Sequence, residues 1–191
     1  TDRDVGGECV VTEPTDWVGG QLTSQAVPPD ENPWIEGDNG VRAAPESYLM
    51  YRRSVREWYK RNRRLVPEAM ANPRLNPGNG WVSHLCHEPR VAHEILREML
   101  APHVASGRVK VLLETVPVRV ECVGDVVSAV VVRGGDGQET TIEADYVLDA
   151  TELGDVLHLG GIEHHLGAEH RDVHGELHGR EDKTDPHDIQ A

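Results

Sequence analysis

Two stretches of the chain end an apolar run on a residue type that can hold a nucleotide cofactor. The first is ECVVTE, residues 8–13, which closes on Glu13 and is followed by Gly19-Gly20. An acid at the carboxyl end of a sheet strand can accept hydrogen bonds from the ribose hydroxyls of a dinucleotide. Glycines just beyond it let a ligand approach the backbone, because no Cβ intervenes. The plainer reading is a strand-ending acid followed by turn glycines. The second stretch is YVL followed by Asp149-Ala150-Thr151-Glu152-Leu153-Gly154-Asp155. Small residues and a glycine after a buried strand mark where open α/β sheets take ligands; an ordinary strand-to-loop junction has the same composition.

Other reactive residue types are less pointed. Trp81, Ser83, His84, Cys86 and His87 form a polar cluster in which a thiolate beside two imidazoles would be nucleophilic or redox-active. A structural loop packed against the cofactor domain is the favoured reading, and no second cysteine stands at dithiol spacing, which disfavours a dithiol mechanism. His170, His174 and His178 are four apart and would share a helix face, but Gly175 and Gly179 weaken any such helix. The tail histidines, including His164 and His165, therefore read as solvated, and no metal is expected. Arg52, Arg53, Arg56, Lys60, Arg61, Arg63 and Arg64 read as a solvated basic helix face.

The elements that must position these residues can be read from periodicity. Residues 8–13 are expected to be a buried strand. Residues from there to about 45 are rich in Pro, Gly, Asp and Asn and read as an irregular excursion. Tyr48, Tyr51, Val55 and Trp58 give residues 46–63 helical spacing. Residues 65–88, including NPGNGW, are again Pro- and Gly-rich. A second helix starts at Pro89, carries Val91, Ile95 and Met99 with Leu96 and Leu100 on one stripe, and stops near Gly107. The period then becomes alternating. Val109–Glu114 reads as a strand, and Val116–Cys122, Val126–Arg133 and Thr140–Glu143 as a three-stranded antiparallel meander turning at Gly124-Asp125 and Gly134–Gly137. Tyr146–Ala150 is expected to be a last buried strand. Residues 163–191 hold eight acids and six histidines with little apolar periodicity and read as a solvated tail.

Taken in order, strand–Glu13–x5–Gly19–Gly20, meander and YVLDATELGD resemble the FAD-binding domain of glutathione-reductase-like flavoproteins. The stretches TDWVGGQLTSQAVPPDE (15–31), NPRLNPGNGWVSHLCHEPRVA (72–92) and YVLDATELGDVL (146–157) are similar to a family of FAD-dependent oxidoreductases. The resemblance implies an α/β fold: a partial Rossmann-like FAD/NAD(P)-binding domain over residues 1–161, with a loop and helical insertion at 25–105 and the β-meander, then a polar segment at 162–191. It implies FAD as cofactor, with contacts at Glu13, Gly19, Gly20, Gln21, Val118, Ala150, Thr151 and Gly154. Thr23, Ser24 and Gln25 are further candidates near the flavin. Thr151 and Gly154 are separated by two residues, a departure from the usual late motif. No G-x-G-x-x-G precedes Glu13, so residues 1–191 by themselves are expected to bind FAD weakly or not at all.

Composition bounds the rest. A chain of 191 residues can bury a sizeable core. Its formal charge of −14, from 33 acids against 19 basic residues, argues against nucleic acid or an anionic membrane as partner. Three scattered cysteines suit reduced thiols and a cytoplasmic location, and no apolar run reaches bilayer length. The expected function is flavin-mediated hydride or electron transfer with a small organic substrate. The alternative is a non-catalytic interaction module that keeps the sheet without a working cofactor site. No side chain stands out as a general base.

Overall fold

The computed structural model describes residues 7–29, 31–32, 34–36 and 44–182. Residues 183–191, the end of the polar tail with His187, lie outside the described residues, as do parts of the excursion before residue 45. The chain divides into two compact units, the first running to Val116 and including Gly134–Asp136, the second comprising Pro117–Arg133 and residues from Gly137 onward.

The first unit contains β1 (Cys9–Thr12), α1 (Glu46–Asn62), α2 (Pro67–Ala71), α3 (Pro89–Ala105) and β2 (Val109–Leu112). β1 and β2 pair in parallel, Cys9 opposite Val109 through Thr12 opposite Leu112, as the strand–helix–strand order requires. Helical spacing puts Tyr51, Val55 and Tyr59 of α1 on one stripe. They pack with Val91, Ala92 and Ile95 of α3 and with Leu75 and Leu85 to form the core. α3 stops where the sequence says it should. Gly107 takes φ +75°, its N–H reaches the Val104 carbonyl at 3.0 Å, and the Arg108 N–H reaches the His103 carbonyl at 3.0 Å. That pair of bonds satisfies two of the helix's last carbonyls.

Two expectations for this unit fail. β1 is exposed at Cys9, Val10 and Val11 rather than buried. Among the described residues it has one strand neighbour, and α3 packs on β2, so its other edge and its faces stay open. The basic face of α1 is not wholly solvated either. Arg52 and Arg56 are buried, and both bind the Glu36 carboxylate; Arg52 also binds Glu31. The acids come from the irregular excursion, where periodicity gives no hint of a partner. Burial, reinforced by the neighbouring Arg56 charge, pulls the Arg52 guanidinium down to about 10, which still leaves it charged at neutral pH.

The second unit is built on a sheet of order β3 (Val116–Val123), β4 (Val126–Arg133), β5 (Glu139–Ile142). β4 and β5 are antiparallel, Val130 facing Ile142 and Arg133 facing Glu139. Arg133 donates to the Glu139 carboxylate at 2.8 Å across the pair. Val120, Val130 and Val132 form a small core with Val156 of α4 (Asp155–Leu159). α5 (Arg171–His174) comes next, so the tail is not structureless throughout. Tyr146–Ala150 is not a strand, and Tyr146 and Leu148 are 87% and 89% exposed. An apolar run becomes a strand only beside another strand's amides, and among the described residues none pairs with it. Among the described residues, no helix is long and apolar enough to cross a membrane.

Candidate functional site

Glu13 sits one residue beyond β1, at the carboxyl end of the parallel pair. Its backbone is fixed on both sides: its N–H donates to the Leu112 carbonyl at 2.9 Å, and its own carbonyl accepts from Thr115 N–H at 2.9 Å. Its side chain is fixed too. Oε1 accepts from the Thr15 N–H at 2.9 Å and the Thr15 hydroxyl at 2.8 Å. Among the described residues nothing donates to Oε2. A half-buried carboxylate with one oxygen pinned and the other unused is ready to accept a further hydrogen bond.

The Gly pair lies shortly after. Gly19 has φ +115° and opens a single 3-10 turn, Gly20–Leu22, which places Gln21 at the surface. The space a side chain would need at Gly19 belongs to the protein: a Cβ there would stand 2.6 Å from Leu96 Cδ1 and 2.8 Å from Thr23 Cγ2. The glycine thus serves the close packing of this turn against α3, and it is not an open cradle for a ligand. Thr23 is buried and donates to the Val18 carbonyl at 2.8 Å, a structural role. Beside this turn Trp17 stacks on His93 of α3, ring centroids 4.8 Å apart and planes 1° from parallel. The two rings floor a shallow groove edged by Arg90, Glu94, Arg97 and Glu98. Partial burial, with the Arg97 charge adding to it, holds His93 below the usual histidine value. Periodicity did not single out this stack, because Trp17 lies in a turn.

In the second unit, Val118 is half-buried in β3, Ala150 is exposed, and Thr151 and Gly154 are half-buried. The DATELGD turn folds around Asp149, a residue the sequence did not select. Asp149 Oδ1 accepts from Thr151 N–H at 3.0 Å and its hydroxyl at 2.7 Å; Oδ2 accepts from the N–H groups of Val156 at 3.0 Å and Leu157 at 3.2 Å. Burial would raise this carboxyl, but those four hydrogen bonds outweigh it and hold it below the usual aspartate value. Gly154 takes φ +70° to let the chain enter α4. The motif is a helix cap with both oxygens in use.

The Cys86 cluster is structural. Cys86 is buried, its Sγ–H points to the Ser83 carbonyl at 3.6 Å, and Asn76 clamps the loop through Cys86 N–H at 2.7 Å and the Gly80 and Ser83 carbonyls at 2.9 Å each. His87 Nε2 accepts from the Tyr51 hydroxyl at 2.8 Å, and its Nδ1 faces the Glu88 carbonyl. The three cysteines are free thiols.

The eight residues expected to touch cofactor therefore fall into two groups. Glu13, Gly19, Gly20 and Gln21 are gathered within the first unit, and Val118, Ala150, Thr151 and Gly154 belong to the second. Of these, the Glu13 side chain alone presents a hydrogen-bonding carboxylate that its surroundings leave half unused.

Comparison with known proteins agrees with this cofactor chemistry. The family model described as "FAD dependent oxidoreductase" matches residues 3–187. No curated protein and no solved structure matches the chain. With nearly its whole length matched, the chain belongs to the FAD dependent oxidoreductase family, whose cofactor is FAD.

Proposed function

We propose that the parallel β1–β2 pair is part of a Rossmann-like FAD-binding sheet, and that the protein transfers hydride or electrons between FAD and a small organic substrate. In this reading residues 25–105 are a loop and helical insertion into that sheet, and residues 162–191 form a separate polar segment.

One observation carries the reading: the carboxylate of Glu13 at the carboxyl end of parallel strands, oriented by Thr15, with Oε2 unused among the described residues. A ribose diol offers two O–H donors to such a group. Thr15 fixes the rotamer of the acid through two hydrogen bonds to one oxygen, so little side-chain entropy is lost on binding. Gly19, Gly20 and Gln21 then set the backbone course beside the ribose. FAD, when bound, supplies the two-electron chemistry, and the chain supplies position and electrostatics.

The test is flavin titration of the protein, read by quenching of flavin fluorescence, with Glu13→Ala and Glu13→Gln. Losing a hydrogen bond to a charged group removes about 1.5–3 kcal/mol, so the alanine variant should bind FAD roughly 10–100-fold more weakly. Glutamine, which keeps an acceptor but loses the charge, should fall between. Measurable and equal affinity in all three proteins would remove Glu13 from the site and the reading with it.

A further inference from the structure

The polar segment after α4 folds with little apolar burial. Among the described residues from 163 to 182, Ala168 is the one buried apolar side chain; Leu166, Val173 and Leu177 are 60%, 53% and 80% exposed. Yet the chain doubles back tightly. Arg171 N–H donates to the Arg180 carbonyl at 2.7 Å and Arg180 N–H to the Glu169 carbonyl at 3.0 Å, forming a parallel bridge between His170 and Arg180. Arg171 pairs with Glu181 and donates to the Leu177 carbonyl at 3.0 Å. A Cβ at Gly179 would stand 2.7 Å from Arg171 Cα. Gly175, at φ +69°, ends α5 directly after His174.

This course brings together three donors, of which His165 and Glu169 lie before α5 and His174 ends it. The ligand atoms of His165, Glu169 and His174 all lie within 4.8 Å of one another. His174 Nε2 is 3.2 Å from Glu169 Oε2. The rings of His165 and His174 meet edge-on, with centroids 5.8 Å apart.

We propose that His165, Glu169 and His174 bind a zinc ion that clamps this segment. Zinc holds imidazole nitrogen and carboxylate oxygen at about 2.0–2.2 Å in a tetrahedron, so neighbouring donors stand about 3.3–3.5 Å apart. The Glu169–His174 edge already has nearly that length. His165 is exposed and unpinned, so a small side-chain rotation closes the remaining two edges, and water takes the fourth position. Two imidazoles and one carboxylate are a donor set that zinc accepts. The physical need is also plain: a segment with so little apolar burial gains its order from crosslinks, and a metal ion is a strong one. The helical histidine spacing 170/174/178 is not the set used, since α5 ends at His174 and His170 Nδ1 accepts from Asp172 N–H at 3.2 Å as its N-cap.

The experiment is titration of tag-free, chelator-treated protein with zinc chloride against a chromophoric zinc indicator. We expect one equivalent bound with a Kd of about 1–10 µM or tighter. Glu169→Gln and His174→Ala should each weaken it at least roughly 10-fold, since losing even a group that only orients a metal ligand costs about that much. His158→Ala, whose ring meets His164 edge-on with centroids 6.4 Å apart and lies outside the cluster, should leave it unchanged. Amide exchange across residues 165–180 should slow when zinc is added to the unaltered protein, a readout independent of how the variants fold. Cobalt(II) in place of zinc should give the intense visible bands of a tetrahedral site. Absence of binding, or equal affinity in the Glu169→Gln/His174→Ala double variant, overturns the proposal.

Discussion

Replacing Arg52 with methionine should destabilise the protein far more than a surface position on a basic helix would allow. The Arg52 and Glu31 side chains are 2% and 3% exposed. Their pairing is not isolated: Glu31 also accepts from the Tyr48 hydroxyl at 2.6 Å, and Glu36 binds Arg52 and Arg56 together. Arg52→Met leaves Glu31 as a buried carboxylate with only hydroxyl donors. Breaking a buried pair from one side costs about 3–5 kcal/mol. For a chain of this size each kcal/mol moves Tm by about 2–4 °C, so the expected drop is about 6–20 °C by calorimetry. The companion variant is Arg52→Met/Glu31→Gln. Removing both charges clears the orphaned carboxylate, and buried pairs replaced as a whole often cost little. The double variant should therefore recover much of the loss, giving a favourable coupling in a double-mutant cycle. A single-variant loss below about 1 kcal/mol, in the range of exposed pairs, would refute the reasoning. So would a double variant less stable than the single.

Gly19→Ala should cost about 2–4 kcal/mol, because φ +115° strains any Cβ and the added carbon meets Leu96 and Thr23 below 3.0 Å; urea unfolding checks it, and a neutral effect would sink the packing account. His87 should make the fold acid-sensitive. Burial, with the Arg52 charge adding to it, holds its folded value below the ordinary one, so the unfolded chain takes up a proton first as pH falls through about 6.5. Stability present at neutral pH is then lost progressively below that point; His87→Gln should flatten this limb of the urea midpoint against pH, and an unchanged profile would exclude His87. Asp149→Ala should remove about 1–2 kcal/mol of capping from α4 and speed exchange at the Val156 and Leu157 amides; protected amides in the variant would show that the cap lies elsewhere.

The regular elements were legible because their signals are local. The set Tyr48, Tyr51, Val55 and Trp58 and the pair Pro89…Gly107 fix α1 and α3 from spacing and backbone preference alone, and alternation with turn glycines fixes β3, β4 and β5. The features that sequence reading missed depend on neighbours. CVVT and YVLDA are equally apolar, but one found a strand beside it and the other, among the described residues, did not. Arg52 and Arg56 look solvated until Glu31 and Glu36 arrive from an irregular stretch. Trp17 and His93 meet from a turn and a helix far apart in sequence. The His165–Glu169–His174 cluster is set by a backbone bridge to Arg180 that no periodicity encodes.

Glu13 and Asp149 show why residue type alone does not decide between a structural and a ligand-binding role. Glu13-x-Thr15 and Asp149-x-Thr151 make the same local turn: in each, one carboxylate oxygen takes the N–H and hydroxyl of the threonine two residues on. They differ in the course of the chain beyond the threonine. After Asp149 the chain turns through Gly154 into a helix whose first amides fall on Oδ2, so that carboxylate is consumed in starting α4. After Glu13 the chain turns through Gly19 into a short 3-10 turn whose amides bond to its own carbonyls, so none reaches Oε2. A half-buried carboxylate oxygen that takes no donor among the described residues is open to a hydrogen bond from water or a ligand. The fold thus uses both oxygens of Asp149 and, among the described residues, one oxygen of Glu13, and the proposed ligand-binding role of Glu13 rests on that second oxygen.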